Sequence, residues 1–134
     1  TPAILADRVS ELEISHEERT ELREVDETYS MAAEDGLGAV GLDPVFDAAS
    51  KHAVSRLFLH DGATLSGSLC NRCGALSRPQ DVCAVCGGET RKVEDVLEEL
   101  ARAVIEAGGS VEHVMADTRL VSDLIAARLR FRTE

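Results

Sequence analysis

The order of apolar and polar positions along the chain predicts alternating helices and strands. Two stretches carry apolar residues at helical spacing, and a glycine follows each. The first stripe is Leu22, Val25, Tyr29 and Ala33, ended by Gly36; the second is Val93, Val96, Leu97, Leu100, Val104 and Ala107, ended by Gly108 and Gly109. At the end of the chain Ala127, Leu129 and Phe131 alternate with Arg128, Arg130 and Arg132, a period of two that predicts a strand with one buried face.

Shorter signals complete this pattern. Residues 2–12 are expected to form a short helix, and Ser15 with Glu18 has the spacing of a capping box. Asp43 followed by Pro44 predicts a helix that begins with an aspartate N-cap. Strands are expected at 54–59 and 111–116, and a short helix is expected after Asp117 and Thr118. Such alternation predicts an α/β layered sandwich, with helices packed on a mixed sheet.

Composition and charge exclude several classes of protein. The chain has 134 residues with 44% hydrophobic and 29% charged residues, values that are ordinary for one globular domain. No apolar run is long enough to span a bilayer, so we expect no membrane association and a cytoplasmic protein. The net charge of −11 and the 3% aromatic content disfavour direct nucleic-acid binding, which relies on basic and stacking side chains.

Most of the negative charge lies at one end of the chain. Residues 1–35 hold 11 acids and 3 bases, whereas residues 36–134 hold 14 acids and 11 bases. The N-terminal segment therefore carries −8 of the total of −11. A solvated helix face explains this distribution more simply than a docking surface does.

Four cysteines form the most specific motif. Cys70 and Cys73 make one CxxC pair, Cys83 and Cys86 make a second, and nine residues separate the two pairs. Two such turns present four thiolates to one tetrahedral ion, and Zn²⁺ prefers this ligand set. Disulfides are the alternative, but the clustered spacing disfavours them. We therefore predict one structural Zn²⁺ in a ribbon inserted over about residues 64–91.

The predicted metal site is expected to be structural and not catalytic. Four thiolates close the coordination shell of the metal, whereas a catalytic zinc keeps one position for water. A thioredoxin-like redox function would need only one CxxC pair. The nearby bases Arg72, Arg78, Arg91 and Lys92 are expected to offset the charge of the thiolates, and they also form a candidate contact patch.

Other candidate catalytic groups are scattered. His60 with Asp61 and His113 is the one plausible acid–base cluster, because each lies in or just after a predicted strand. A histidine at a strand end is more often simply hydrogen-bonded, so we predict no catalytic residues. The chain is therefore expected not to be an enzyme.

The order of these elements resembles the C-terminal, third domain of archaeal and eukaryotic class-one peptide-chain release factors and their Pelota relatives. The residues that carry the resemblance are the entry from Val40 and Gly41 through Ala53 to Leu59, the cysteine ribbon that follows, the segment at Val111 and the closing segment from Ala127 to Phe131. The match covers about residues 36–132. The Ala-, Val-, Glu- and Arg-rich composition fits a bacterial, specifically actinobacterial, relative.

The resemblance implies an L7Ae-like fold and a protein partner, either a translational GTPase or the ribosome. Residues 1–35 would correspond to the connector from an upstream domain, and residues 36–134 to the α/β domain itself. In that family a Gly-Gly-Gln motif in a separate domain performs peptidyl-tRNA hydrolysis, and this motif is absent here. Where the family has a glycine-rich stretch before the last strand, this chain has Ser122 to Ile125.

Two other functions stay open from the sequence. The four cysteines could act as a redox- or metal-responsive module, or the L7Ae-like sheet could bind RNA. Arg128, Arg130 and Arg132 are predicted either to pair with acids inside the domain or to form a contact row for a partner. The sequence does not indicate an oligomeric state.

Overall fold

A computed structural model describes residues 16–115 and 120–132. In chain order the helices are α1 (His16–Glu34), α2 (Leu42–Ser50), α3 (Val96–Glu106) and α4 (Leu120–Asp123). The strands are β1 (Gly38–Val40), β2 (Val54–His60), β3 (Gly67–Cys70), β4 (Leu76–Ser77), β5 (Thr90–Val93), β6 (Ser110–Val114) and β7 (Ile125–Leu129). Across these ranges no helix is both long and apolar enough to cross a membrane.

The main sheet has four strands in the order β1-β7-β2-β6. Strand β7 runs antiparallel to both β1 and β2, whereas β6 runs parallel to β2. The sheet is therefore mixed, as the sequence predicts. Two parallel neighbouring strands need a long crossover connection. Between β2 and β6 this connection consists of the ribbon and α3.

Strand β2 is buried on both faces of this sheet. Its residues Leu57, Phe58 and Leu59 are all buried, which explains why the segment reads as a continuous apolar run. Leu57 and Leu59 join a large cluster with α2 and α3, which cover one face. Phe58 joins a smaller cluster with Val25 of α1 on the other face. The helices thus form layers on both sides of the sheet.

The ribbon forms a second sheet in the order β4-β3-β5, with all strands antiparallel. It is not a separate body, because Leu76 of β4 and Val93 of β5 belong to the same apolar cluster as α2 and α3. The amide of Val96 also donates to the carbonyl of Leu65 over 2.7 Å, which ties the start of α3 to the loop that leads into the ribbon.

Two sequence predictions about helix starts are wrong. Asp43 is not the N-cap of the second helix: this helix begins at Leu42, and Gly41, with a φ of 87°, occupies its N-cap without a side-chain hydrogen bond. The helix expected from Val93 begins at Val96, because Val93 pairs with Gly67 in the ribbon sheet. The Asp95 carboxylate caps this helix by accepting hydrogen bonds from the amides of Leu97 and Glu98.

The last strand also differs from its predicted form. It spans Ile125–Leu129, and its first three residues are all buried because helices cover both faces of the sheet. Phe131 lies beyond the strand and is 48% exposed, so the prediction that it enters the core is wrong. The predicted helix at 2–12, the capping box of Ser15 and the cap at Asp117 and Thr118 lie outside the described residues.

Candidate metal centre and surrounding polar contacts

The two CxxC turns repeat one backbone pattern. The Gly74 amide donates to the Cys70 carbonyl over 3.1 Å, and the Gly87 amide donates to the Cys83 carbonyl over 2.9 Å. Both glycines have positive φ, 78° and 75°, a conformation in which a side chain would be strained. Glycine after each pair therefore lets the chain turn back, so that both cysteines of the pair face the same point.

The four sulfurs converge at one place. Cys70 Sγ lies 3.4 Å from Cys86 Sγ, and Cys73 Sγ lies 3.6 Å from Cys83 Sγ. All four sulfurs lie within 4.8 Å of one another. Sulfurs placed tetrahedrally at about 2.3 Å from a metal ion are about 3.8 Å apart. The donor set and its spacing therefore fit one tetrahedral metal ion, and all four cysteines are free of disulfides.

Backbone amides point at these sulfurs. Cys70 Sγ accepts from the amides of Arg72 and Cys73, both over 3.3 Å. Cys83 Sγ accepts from Val85 over 3.3 Å, and Cys86 Sγ accepts from Gly88 over 3.4 Å. Amide donors stabilise thiolates and fix their orientation, which is the usual outer-sphere support of a metal ligand. The backbone thus favours the ionised form that binds metal.

The surroundings of the four sulfurs lower the pKa of two of the thiols and raise the pKa of a third. The amide of Cys73 is the main cause that lowers the pKa of Cys70, to about 6. A hydrogen bond from the amide of Cys86 likewise lowers the pKa of Cys83. For Cys73 the amide of Ala75 has a lowering effect, but burial and the neighbouring thiols outweigh it and raise the pKa to about 12. Four thiols this close cannot all ionise unless a cation compensates their charge.

The site is enclosed on one side and open on the other. Cys70 and Cys83 are 2% and 4% exposed, whereas Cys73 is exposed and Cys86 is intermediate. Among the residues that the structure describes, these cysteines form the one group of three or more potential ligands close enough to hold a metal. His60, Asp61 and His113 line one cavity, but they do not converge as a ligand group.

The three arginines of the candidate contact row have acceptors inside the domain. Arg128 donates to Thr28 Oγ1 over 3.0 Å and to the Glu24 carbonyl over 3.1 Å. Arg130 donates to the Ala107 carbonyl over 2.8 Å, and Arg132 donates to the Asp35 carbonyl over 2.7 Å. Their acceptors belong to three different segments, so the arginines fasten the end of the chain to its neighbours.

A second polar centre, which was not predicted from the sequence, lies at Arg56. Its guanidinium lies between two carboxylates, 2.8 Å from Glu24 and 2.9 Å from Glu112, and 4.9 Å from the centre of the Phe58 ring. Burial lowers the pKa of Arg56, but the hydrogen bonds to Glu112 and Glu24 outweigh this effect and raise it. An arginine inside the largely apolar 54–59 run was the available signal, because charges that are partly removed from water are normally paired.

Solved structures share this architecture. The C-terminal domain of a peptide chain release factor from Methanosarcina mazei matches with a TM-score of 0.59 and 19% sequence identity, over 98% of this chain and 91% of that one. The chain has the fold of a release-factor C-terminal domain. The resemblance stated from the sequence is thus confirmed for the fold, as is the mixed α/β sandwich.

Two Pelota structures match as well. Archaeal Pelota in a model of ribosome-bound Pelota and ABCE1 matches with a TM-score of 0.57 and 25% identity, over 97% of this chain. Pelota from Archaeoglobus fulgidus matches with a TM-score of 0.55 and 23% identity, over 98% of this chain. The chain spans 30% and 36% of those two proteins. No protein-family model matches the sequence, and no curated protein matches it.

Proposed function

We propose that this chain is a non-catalytic interaction domain of a release-factor-like protein that acts in translation termination or ribosome rescue in the cytoplasm. The observation that carries the proposal is the match of nearly the whole chain to a release-factor C-terminal domain and to the corresponding third of Pelota. In this proposal residues 36–134 form the domain, and residues 1–35 connect it to an upstream domain. Its partner is a translational GTPase or the ribosome.

We propose further that Cys70, Cys73, Cys83 and Cys86 hold one structural Zn²⁺. The support is the set of four sulfurs at tetrahedral spacing, each pair built on the same glycine turn. When bound, the ion supplies cross-linking of the two turns and compensation of thiolate charge. The chain's own contribution is to orient the sulfurs through the amides of Arg72, Cys73, Val85 and Gly88.

The interaction proposal is tested by binding. The purified domain is mixed with ribosomes, and separately with translational GTPases, from the organism that encodes it, and complexes are measured by sedimentation and by biolayer interferometry. We expect saturable binding to at least one of them, with competition by unlabelled domain. The double variant Cys70→Ser with Cys83→Ser is measured in parallel, since it keeps the rest of the chain but should bind metal weakly. Absence of saturable binding to either partner would contradict the proposal.

A second assay separates this function from hydrolysis and from redox chemistry. The domain should release no peptide from peptidyl-tRNA above the rate in buffer, because the chain contains no Gly-Gly-Gln sequence. Under native conditions its cysteines should react slowly with a thiol reagent, because a bound metal protects them. Rapid, reversible oxidation of the cysteines with a change in partner affinity would instead support the redox-responsive module.

A further inference from the structure

A groove separates α2 from the ribbon, close to the metal site. Its volume is about 340 Å³. Phe46 of α2 and Leu76 of β4 line it and are only 4% and 9% exposed, so they form its floor. Ala84 and Val85 of the second CxxC turn line the wall on the ribbon side, together with Pro79. The groove therefore joins the helical layer to the metal-binding turn.

The wall of the groove is apolar and exposed. Val85 lies between two metal ligands and is 63% exposed, and Ala84 and Pro79 are exposed too. The Val85 amide is held by its hydrogen bond to Cys83 Sγ, so this side chain stands on a fixed turn. Single exposed apolar residues are ordinary, but several beside an apolar groove mark a surface that binds a partner.

Carboxylates lie at the edge of the same groove. Asp43 and Asp47, one turn apart on α2, line it and pair with Arg78 and Lys51 over 3.1 and 3.0 Å. Both pairs are well exposed, and such pairs contribute little and exchange partners readily. An incoming Lys or Arg can therefore share these carboxylates. A phosphate would meet two carboxylates against the one guanidinium of Arg78 in the groove lining, and the net charge of −11 would oppose it as well.

We propose that this groove is a docking site for a protein segment that inserts one large apolar side chain and places a Lys or Arg beside it. The apolar group would contact Phe46, Leu76 and Val85, and the base would contact Asp43 and Asp47. This inference deepens the proposed function, on which it rests for the identity of the partner, by naming the surface and the chemistry that the partner presents.

The chemistry is tested without any translation factor. The ¹⁵N-labelled, metal-loaded domain is titrated with the peptide Ac-Arg-Phe-Arg-NH₂ and, as a charge control, with Ac-Glu-Phe-Glu-NH₂. We expect progressive amide shifts at Ala84, Val85 and Asp47 with the first peptide, and at least fivefold smaller shifts with the second. Equal shifts with both peptides, or shifts that avoid these residues at 10 mM peptide, would overturn the proposal.

Val85 of the second CxxC turn and Val82, just before that turn, provide a matched pair of variants. Val85→Glu places a charge in the groove, whereas Val82→Glu places it at a site of similar exposure, 60%, that does not line the groove. Val85→Glu should weaken binding of the arginine peptide at least tenfold, and Val82→Glu should change it less than twofold. If Val85→Glu loses metal, Ala84→Glu replaces it. Equal effects of the groove and control variants would contradict the proposal.

The same variants separate the groove from the function. If the wild-type domain binds ribosomes or a translational GTPase and Val85→Glu binds equally well, the groove assignment is wrong and the function stands. If the peptide titration succeeds but neither partner binds, the groove stands and the proposed function fails. The double variant Asp43→Lys with Asp47→Lys should bind the partner more weakly, because it removes the carboxylates that would contact the partner's Lys or Arg. Stronger binding of that variant would show a phosphate-bearing partner and overturn the inference.

Discussion

Arg128 Nε donates a hydrogen bond to Thr28 Oγ1 over 3.0 Å and so joins the last strand to a helix 100 residues earlier in the chain. Thr28 is fully buried, and Thr28 Oγ1 in turn donates to the Glu24 carbonyl over 2.8 Å. The same guanidinium donates to that carbonyl and lies 5.7 Å from the centre of the Phe58 ring. Arg128 therefore has a structural role in packing α1 against the sheet.

Replacing this arginine should reduce stability. We expect Arg128→Gln to lower the free energy of unfolding by about 1–2 kcal/mol, because charge-assisted hydrogen bonds to Thr28 and Glu24 are lost in a half-buried site. Urea denaturation followed by circular dichroism measures this. Arg132→Gln serves as the control and should cost less, because Arg132 donates to the exposed carbonyl of Asp35. Equal stability of wild type and both variants, with weaker partner binding, would support the contact row instead.

The second prediction concerns the close approach between the backbones of β1 and α1. A Cβ at Gly38 would lie 2.7 Å from both the Ala32 nitrogen and the Thr28 oxygen of α1. Gly38→Ala should therefore push α1 away from β1 and cost about 2–3 kcal/mol, since overpacking against backbone cannot relax easily. Gly62→Ala is the control: it meets no atom within 4 Å, and its positive φ of 79° alone should cost about 1 kcal/mol. If Gly38→Ala costs no more than Gly62→Ala, the described packing of α1 is wrong.

Metal removal should unfold the ribbon and weaken the sandwich. Leu76 and Val93 belong to the main core, so their release should cost at most about 3–6 kcal/mol in burial. Hydrogen exchange after chelation should show lost protection over residues 67–93. Amides of β2 and α3 should remain protected, because most of their apolar neighbours lie outside the ribbon. Either complete unfolding or an unchanged exchange pattern after verified metal loss would contradict this division.

Metal binding should release protons, more of them at lower pH. Near pH 7, Cys73, with a pKa of about 12, carries a proton that the metal must displace, whereas Cys70, with a pKa of about 6, is largely ionised. Below pH 6, Cys70 is largely protonated and adds a further proton to those released, so zinc affinity should fall more steeply there. Calorimetric titration in two buffers of different ionisation enthalpy, at pH 7 and pH 5.5, counts these protons. Equal proton release at both pH values would contradict the assignment.

Local spacing explains which features the sequence could predict. The CxxC turns with their glycines define the candidate ligands Cys70, Cys73, Cys83 and Cys86, because the turn geometry depends only on neighbouring residues. The buried positions of β2 and of α3 could likewise be predicted, because each segment carries its own apolar run or stripe in the sequence. The order of elements then indicated the fold that the solved structures confirm.

The features that sequence reasoning missed depend on contacts between distant segments. Val93 has helical spacing with Val96 and Leu97, yet its pairing with Gly67 draws it into the ribbon sheet. Phe131 continues an alternating pattern, but the strand ends at Leu129, and Phe131 stays outside the core. In the sequence Arg56 only interrupts an apolar run. In the fold it pairs with Glu24 of α1 and Glu112 of β6, which are distant in the sequence.

X-ray absorption at the zinc edge of the purified domain tests most directly whether the cysteines serve structure rather than chemistry. A closed structural site predicts one zinc per chain with four sulfur neighbours at about 2.3 Å and no nitrogen or oxygen neighbour. Nitrogen or oxygen in the coordination shell, or a protein that contains disulfides and no metal, would contradict the account.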